Sequence, residues 1–391
     1  MNGSVLAFEP WDAGSHRAVR RSITRHGRMD WRFLTRPGRS PRWRLRHAAL
    51  SFAEETHADP IAGAGGEPPL AHDRVAAAFA TGMLSLADLR AAMPGSLRNR
   101  PFILSMHENQ AAYPVSGDVS ELTRDRDAHL AFTNLASMEA ADRIVWNSHW
   151  NLESFLEGMS ASMRHAPEPV GDDWAGRIRA KSTVVAPPIE VSEIDDAMVL
   201  RNTPAARYRD DPRHDRPPTL VAWPHRWEHD KGCDELLQLA DEAARREVDG
   251  GPAIRWVILG HRPQDPPEAM KTLLRRHGKR IAHAGEADRS DYLGWLAGCD
   301  WVLSTARHEF FGMAVAEALF AGCLPWLPSR LAYPELVPED ALNLNPWDRP
   351  SEGTITALRP RIRNRLERAR AEVAVNQLET VVMETIESMR T

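Results

Sequence analysis

Cysteine is scarce in this sequence. The three cysteines, Cys233, Cys299 and Cys323, are far apart, odd in number and set among apolar neighbours. This pattern argues against a disulfide framework and a cysteine metal site. It favours reduced, buried thiols in a cytoplasmic protein.

Long hydrophobic runs are absent as well. No stretch approaches the roughly 18 apolar residues that a membrane-spanning helix needs, and the N-terminus lacks the charged-then-apolar order of a signal peptide.

The net charge of -5 on 391 residues gives no overall reason for binding to a membrane or to nucleic acid. No Asp-x-Asp cluster follows a predicted strand, so neither a metal ion nor another cofactor is expected. The sequence predicts a soluble protein that is long enough for two domains with separate cores.

Acidic residues are scarce in one segment near the N-terminus. Residues 17–46 contain eleven arginines and a single acid, and aromatic rings lie among the charges. The segment ends in a cluster that includes Arg42, Trp43 and Arg44. Because arginines suit phosphates and flat rings suit bases, the cluster is a candidate RNA contact. A solvated basic face is an equally good interpretation of these residues alone.

The chain begins as nucleotide-binding half-domains often begin. A short apolar strand at residues 5–8 leads into a turn that contains Gly14, Ser15 and His16, and a basic helix follows. Such a turn lies at the carboxyl end of its strand, where α/β sheets bind ligands. An ordinary turn glycine and a polar residue at a helix start are the alternative interpretation.

A second polar loop follows a later strand. The apolar strand at residues 102–105 runs directly into His107, Glu108 and Asn109. A histidine there can donate to a phosphate or a sugar hydroxyl, and the glutamate can orient it or accept from an acceptor group. A loop of satisfied polar side chains is the alternative. The same half is predicted to contain helices at 73–79, 85–92, 129–140 and 151–156 and strands at 143–146 and 183–186.

The second half of the chain opens on a strand that is followed by two cations. Residues 191–218 are rich in charge and proline and show no clean period, so we expect the linker there. The strand at 219–223 then leads to Arg226 and Lys231, ahead of a helix at 234–244. One cation on each side of a strand-to-helix loop can bind a pyrophosphate from two directions. Arg226 offers the two parallel N–H donors of its guanidinium, and Lys231 offers a compact positive charge. A surface ion-pair loop is the less favoured alternative.

Two glutamates eight residues apart lie in the run STARHEFFGMAVAEALFAG at residues 304–322. The pattern predicts a strand at 302–303, Glu309 in the loop after it, and a helix at 312–320 that contains Glu317. A helix that opens at the carboxyl end of a parallel strand directs free backbone amides at a bound phosphate. Glu309 can then accept hydrogen bonds from sugar hydroxyls and Glu317 from a ribose diol. A capping residue and a solvated helix carboxylate are the alternatives.

Taken together, these motifs resemble a known family. The strings AGSH, HENQ, WNS, WPHRWEHDK and TARHEFFG are similar to those of tRNA-queuosine alpha-mannosyltransferases, within the large family 4 class of retaining GT-B glycosyltransferases. WPHRWEHDK is a rare string, whereas Glu-x7-Glu is typical only of the broad class. The matches span residues 9–334. Ala13 stands where the family usually has a second glycine, and Gly260 lacks the usual further glycine after it.

The resemblance implies an α/β, GT-B fold with two Rossmann-like domains that face each other across a central cleft. Residues 1–195 would form the acceptor-side domain and residues 218–375 the nucleotide-binding domain. A C-terminal helix at 376–391 would cross back to the first domain. The implied reaction is transfer of mannose from GDP-mannose to queuosine in a tRNA anticodon, without a metal ion or a membrane.

The residues and the resemblance together predict a site. Predicted donor-binding residues are Gly14, Ser15, Arg226, Lys231, Glu309, Phe310, Phe311, Gly312 and Glu317. Predicted acceptor-binding residues are His16, Glu108, Asn109, Arg42, Trp43 and Arg44. Predicted catalytic residues are His107, Glu309, Arg226 and Lys231.

Three other functions fit parts of the pattern. One is a family 4 enzyme that uses another nucleotide sugar and a glycan or lipid acceptor. Another is a GT-B sugar-nucleotide epimerase, which needs no polymer acceptor and leaves the basic segment unexplained. The third is an inactive RNA-binding module, which has no need for the paired glutamates and cations.

Overall fold

Within the described residues, eleven strands form two separate parallel sheets. The structure is a computed structural model that describes residues 3–63, 67–112, 121–168, 170–171, 173–212, 217–348 and 350–389, and only the backbone of residues 41, 42 and 121–128. The strands are β1 (Ser4–Asp12), β2 (Asp30–Pro37), β3 (Val75–Thr81), β4 (Phe102–Met106), β5 (Arg143–Trp146), β6 (Ser182–Val184), β7 (Thr219–Pro224), β8 (Ile254–Leu259), β9 (Ile281–Gly285), β10 (Trp301–Leu303) and β11 (Leu324–Trp326).

Helices connect the strands. They are α1 (Gly14–His26), α2 (Pro41–Glu55), α3 (Leu86–Ala92), α4 (Gly95–Arg98), α5 (Glu121–Ala140), α6 (His149–Met163), α7 (Trp174–Lys181), α8 (Val191–Val199), α9 (Pro204–Arg209), α10 (Cys233–Val248), α11 (Glu268–His277), α12 (Arg289–Gly298), α13 (Met313–Phe320), α14 (Tyr333–Leu336), α15 (Glu352–Leu366) and α16 (Ala371–Ser388). None of the described helices is both long and apolar enough to cross a membrane.

The chain divides into two units, each built on one of the sheets. The first unit comprises Met1–Pro188 and Ala371–Thr391, and the second comprises Ile189–Arg370. Because all strands of a parallel sheet run in the same direction, the loops that follow them lie at one edge. Each unit therefore gathers the polar segments after its strands at a single edge of its own sheet.

The first unit has the strand order β2-β1-β3-β4-β5-β6. Its central strands are almost continuously apolar, as expected for a parallel sheet whose two faces are both covered. Phe8, Phe102 and Trp146 are fully buried in this core.

Helix α16 packs against α1 within the first unit, although it lies at the end of the chain. Glu379 of α16 is 4% exposed. Its carboxylate accepts hydrogen bonds from the backbone N–H of Arg28 (2.8 Å), the backbone N–H of Met29 (2.8 Å) and the indole N–H of Trp31 (2.9 Å). One side chain therefore satisfies three donors in and after the loop between α1 and β2.

The second unit has the strand order β11-β10-β7-β8-β9, with Trp223 and Trp256 fully buried. The segment at residues 191–218, which lacks a clean period, includes the two short helices α8 and α9. Both pack against α12 and belong to this unit. At its boundary, the backbone N–H of Ile189 donates to the carbonyl of Ala369 at 2.7 Å.

One predicted helix is wrong. Residues 73–79 were expected to be helical, but Val75–Thr81 is strand β3, which lies between β1 and β4. The alanine-rich sequence VAAAFAT has a helical propensity, yet most of its side chains are buried in the middle of the sheet, and this packing outweighs propensity. The other predicted strands and helices are confirmed, with ends shifted by up to eight residues.

Candidate active site

The loop after β7 holds a buried lysine at the carboxyl edge of the second sheet. Lys231 is 8% exposed. Its Nζ donates to the carbonyl of His308 at 2.8 Å and lies 3.1 Å from Asp230 Oδ2 and 3.5 Å from Glu309 Oε2. Burial alone would lower the pKa of Lys231, but the carboxylates of Glu309 and Asp230 outweigh burial and raise it. Lys231 is therefore a fixed positive charge.

Arg226 differs from Lys231 in its surroundings. Its side chain is 56% exposed and lies 3.2 Å from Glu228 Oε2. The loop thus combines a buried point charge with a solvent-accessible guanidinium fork. This pairing suits a pyrophosphate, which offers oxygens in several directions.

Thr305 joins this loop to the loop after β10. Its hydroxyl donates to the carbonyl of Lys231 at 2.7 Å and accepts from the indole N–H of Trp223 at 2.9 Å. Gly232 has a φ of +68°, and a Cβ there would lie 2.1 Å from the carbonyl oxygen of Thr305. The close approach of the two loops therefore requires glycine at 232. It also positions Lys231 beside Glu309.

Glu309 lies in the loop before α13, as predicted. Phe310 and Phe311 are buried and anchor this loop, and Gly312 at the start of α13 has a φ of +89°. The Glu309 side chain keeps 21% of its surface exposed. A partly exposed carboxylate beside a helix start can accept from a sugar hydroxyl while the helix amides face an anion.

Glu317 lies inside α13 and has two partners from α12. Its Oε1 accepts from Arg289 Nη1 at 2.6 Å, and its Oε2 accepts from the hydroxyl of Tyr292 at 2.9 Å. Burial, together with the charge of Glu317, raises the pKa of Tyr292 well above its usual value. Both carboxylate oxygens are therefore oriented before any ligand binds.

His225 is a neutral residue among these charges. Burial, and then the nearby Lys231 and Arg226, lower its pKa to about 3. Its buried Nε2 has no hydrogen-bond partner among the residues that the structure describes. Gly260 allows the loop to lie this close, because a Cβ at 260 would be 2.4 Å from the carbonyl oxygen of His225.

In the first unit, the predicted turn residues separate into exposed and buried groups. Gly14 and Ser15 are exposed at the start of α1. His16, one residue later, is 6% exposed. Its Nδ1 lies 3.1 Å from Oε1 of Glu9, and its ring stacks on that of His107 with centroids 4.1 Å apart and an interplanar angle of 21°. The structure therefore brings together His16, in the first turn of α1, and His107, directly after β4.

Glu9, His16 and His107 also satisfy a distance criterion for metal binding, with ligand atoms within 4.8 Å of one another. Two coordinating imidazoles must direct their lone pairs at one ion, whereas these rings lie nearly parallel. Oε1 of Glu9 is also within hydrogen-bond distance of the Trp11 backbone N–H, the Thr81 hydroxyl and His16. The donor set fits a hydrogen-bonded pair with a stacked ring better than it fits a metal ion.

Glu108 and Asn109, the other predicted acceptor residues near His107, differ in how deeply they are buried. Asn109 has no exposed surface. Its amide nitrogen donates to Asn151 Oδ1 at 2.8 Å, and its Oδ1 accepts from the backbone N–H of Ala112 at 2.8 Å. Glu108 is half-buried and accepts from Gln110. In this structure Asn109 fixes the loop, and Glu108 is the residue with accessible surface.

The arginine-rich cluster lies at the start of α2. Trp43 is 72% exposed. Arg44 is half-buried and donates to the carbonyl of Pro37 at 3.2 Å. The side chain of Arg42 lies outside the described residues. An exposed indole on a basic helix is available for stacking, and the contact with RNA stays a prediction.

Comparison with known proteins agrees with the resemblance. Residues 4–189 match the N-terminal domain of tRNA-queuosine alpha-mannosyltransferases. A tRNA-queuosine alpha-mannosyltransferase of Drosophila melanogaster is 30% identical over 341 residues, which are 86% of this chain and 82% of that protein. The chain belongs to the tRNA-queuosine alpha-mannosyltransferase family. As a member of this family it is a glycosyltransferase, as predicted.

Solved structures confirm the predicted GT-B fold of this tRNA-queuosine alpha-mannosyltransferase family member. A UDP-forming trehalose-phosphate synthase of Burkholderia xenovorans has a TM-score of 0.67 at 11% identity, covering 98% of this chain and 100% of that one. A sucrose-phosphate synthase of Thermosynechococcus elongatus has a TM-score of 0.61 at 14% identity, covering 98% and 100%. At these identities the likeness shows the fold alone.

Several residues that contact the predicted site were not predicted, among them Glu9, Asp230, Arg289, Tyr292 and Thr305. Glu9 precedes the AGSH string and begins the stretch that resembles the family, and that position was the available signal. Thr305 begins the TARHEFFG string, which was its available signal. Arg289 and Tyr292 carry no sequence signal, because their importance depends on contacts between separate elements.

Proposed function

We propose that this protein transfers mannose from GDP-mannose to queuosine in the anticodon of a tRNA, with retention of configuration, in the cytoplasm. The observation that carries the proposal is the buried Lys231, held between Asp230 and Glu309 beside the start of α13. Such a site suits the diphosphate and the hexose of a sugar nucleotide. Membership of the family supports mannose as the sugar and queuosine as the acceptor.

Each donor contact follows from the local chemistry. Lys231 and Arg226 bind the diphosphate, and Glu309, with the backbone of residues 310–312, binds the mannose hydroxyls. Glu317, whose two oxygens are held by Arg289 and Tyr292, accepts from the ribose diol. We assign Gly14 and Ser15, exposed at the start of α1, a contact with the donor phosphate or the acceptor.

The proposed mechanism needs no covalent enzyme nucleophile. The acceptor hydroxyl attacks the anomeric carbon on the face from which the diphosphate departs, and a diphosphate oxygen takes the hydroxyl proton. Lys231, Arg226 and the helix amides stabilise the negative charge that grows on the leaving group. His107 contacts the reacting sugar, and His16 and Glu108 are available to the acceptor.

The deciding experiment uses unmodified sugar nucleotides and queuosine-containing tRNA. The protein is incubated with the tRNA and with GDP-mannose, or with UDP-sugars in parallel, and the nucleosides are then examined by mass spectrometry. We expect a hexose added to queuosine with GDP-mannose. Addition only with another donor would favour a different family 4 reaction, and no addition with any donor would contradict the proposal.

Chelation is expected to leave activity undiminished. In the proposed mechanism, Lys231 and Arg226 neutralise the charge on the leaving group, so no metal ion is needed for that purpose. The candidate metal ligands Glu9, His16 and His107 form a hydrogen-bonded pair with a stacked ring, and their ligand atoms do not converge on one point. Initial rates with and without EDTA test this. Loss of activity that is restored by adding a divalent cation would contradict it.

Trp43→Ala is expected to weaken binding of a queuosine anticodon stem-loop by about 5-fold to 150-fold, because a stacked base contributes about 1–3 kcal/mol. Trp43→Phe retains a π face and should keep most of the affinity. Leu50→Ala is the matched control, since Leu50 is 59% exposed on the same helix and has no ring. Fluorescence anisotropy measures all three, and equal affinities for Trp43→Ala and the control would remove α2 from the RNA site.

A further inference from the structure

The stacked histidines of the first unit have a charged group behind them. Glu9 is 2% exposed, and its Oε1 lies 2.8 Å from the backbone nitrogen of Trp11, 3.1 Å from Nδ1 of His16 and 3.2 Å from the hydroxyl of Thr81. Hydrogen bonds to a carboxylate favour its charged form. A buried carboxylate in contact with an imidazole favours an imidazolium, because an unpaired buried charge is far less stable than a pair.

The other charges around His16 have the same sign as Glu9. Glu108, from the loop after β4, and Asp12, at the end of β1, also raise the pKa of His16, although burial alone would lower it. The charge of Asp12 is shared with Arg20, whose Nε donates to it at 2.7 Å, and with Arg17 at 3.5 Å. Glu9 is therefore the main partner of His16.

The pKa of His107 shifts in the opposite direction to that of His16. Burial, and then the neighbouring His16, lower its pKa well below the usual value. Its buried Nε2 has no hydrogen-bond partner in the described part of the chain. Its backbone is held by Asn147, whose amide nitrogen donates to the carbonyl of His107 at 2.7 Å. The backbone of His107 is thus held, and its ring lies against His16 in surroundings that favour the neutral form.

We propose that Glu9 and His16 are positioning residues that act through His107. Glu9 holds His16 as an imidazolium, and the stacked imidazolium holds His107 as a neutral imidazole. This inference rests on the proposed function for the identity of the ligand, and on the first unit alone for the arrangement of charges.

A neutral His107 suits the proposed reaction for two reasons. A neutral imidazole has one nitrogen that accepts a hydrogen bond, whereas an imidazolium only donates. Sugar hydroxyls can donate to the accepting nitrogen. Positive charge develops on the sugar ring as the diphosphate leaves, so a charged His107 would oppose the transition state. The Glu9–His16 pair adds no net charge, because its two charges cancel.

Titration of the histidines by NMR tests the arrangement without any substrate. Protein labelled with ¹³C in the histidine rings is titrated, and the signals are assigned with His16→Gln and His107→Gln. We expect His16 to titrate above about 6.5 and His107 to stay neutral well below it. In Glu9→Gln, burial dominates, so the titration of His16 should move down by about one pH unit or more.

The matched control is Glu379→Gln, which also neutralises a buried carboxylate of the first unit but lies among Arg28, Met29 and Trp31. It should leave both titrations unchanged. His16→Gln should raise the pKa of His107, because the stacked positive charge is gone. If His16 in the wild-type protein titrates at or below about 6.5, or does not respond to Glu9→Gln, the proposal is overturned.

The pH dependence of sugar transfer then tests the consequence for catalysis. Activity should fall as pH drops through the pKa of His107, and Glu9→Gln, in which His16 loses its charge more readily, should move this acidic limb to higher pH. A purely structural role for Glu9 would lower the rate equally at every pH and leave the limb in place, and this result would overturn the positioning role. If no transfer occurs in the wild-type protein, the proposed function fails while the titrations still decide the charge arrangement.

Discussion

Lys231→Ala is expected to reduce mannosyl transfer by about a thousandfold or more, because a preorganised charge on the leaving group acts mainly in the transition state. Lys231 is well placed for this role. It is buried, its pKa is raised and its ammonium is held by the His308 carbonyl at 2.8 Å. Arg226→Ala is also expected to abolish turnover, since we propose that its guanidinium binds the same diphosphate.

Single-turnover kinetics and calorimetric titration with GDP separate the chemical step from donor binding. Removing the cation leaves Asp230 and Glu309 without their shared partner, so the fold is checked by thermal denaturation. Lys231→Gln keeps a hydrogen-bond donor without the charge and should be as inactive as the alanine variant. Lys271→Ala, at an exposed lysine paired with Asp265, is the control and should be fully active. Normal turnover in a folded Lys231→Ala protein would refute the phosphate contact.

Glu379→Ala should have the largest effect on stability, a loss of about 2–4 kcal/mol in the free energy of unfolding of the first unit. The carboxylate accepts from Arg28, Met29 and Trp31 at 2.8–2.9 Å. Its removal leaves three donors without their partner and detaches α16 from the loop between α1 and β2. Glu379→Gln keeps one acceptor oxygen and should lose less.

Urea unfolding followed by tryptophan fluorescence measures the change, because Trp31 reports on the first unit directly. Glu384→Ala is the control, at an exposed position of the same helix. Its unfolding midpoint should match that of the wild-type protein. Equal midpoints for the two variants would mean that Glu379 does not hold α16 in place.

Much of the candidate site was predictable from local sequence. Arg226, Lys231, Glu309 and Glu317 each follow or enter a short element whose apolar pattern is plain, and parallel strands place such residues at one edge. The structure brings Lys231 within 3.5 Å of Glu309. Their roles in donor binding stay predictions.

What the sequence did not predict depends on contacts between distant elements. Strand β3 looked helical because alanine favours helices, and only its central position in the sheet decides its structure. The Arg289–Glu317 contact joins α12 to α13, and the Glu9–His16 contact depends on how the turn between β1 and α1 folds. A pattern of residue types contains no information on which of many arginines meets which glutamate.

The return of α16 to the first unit has a consequence for synthesis of the chain. All of Ile189–Arg370 leaves the ribosome before Ala371–Thr391 does. The second unit therefore has its complete sequence available first, while the first unit still lacks the carboxylate that satisfies the backbone of Arg28 and Met29. During translation, the native contacts of the loop between α1 and β2 are therefore completed only after Ala371–Thr391 has been synthesised.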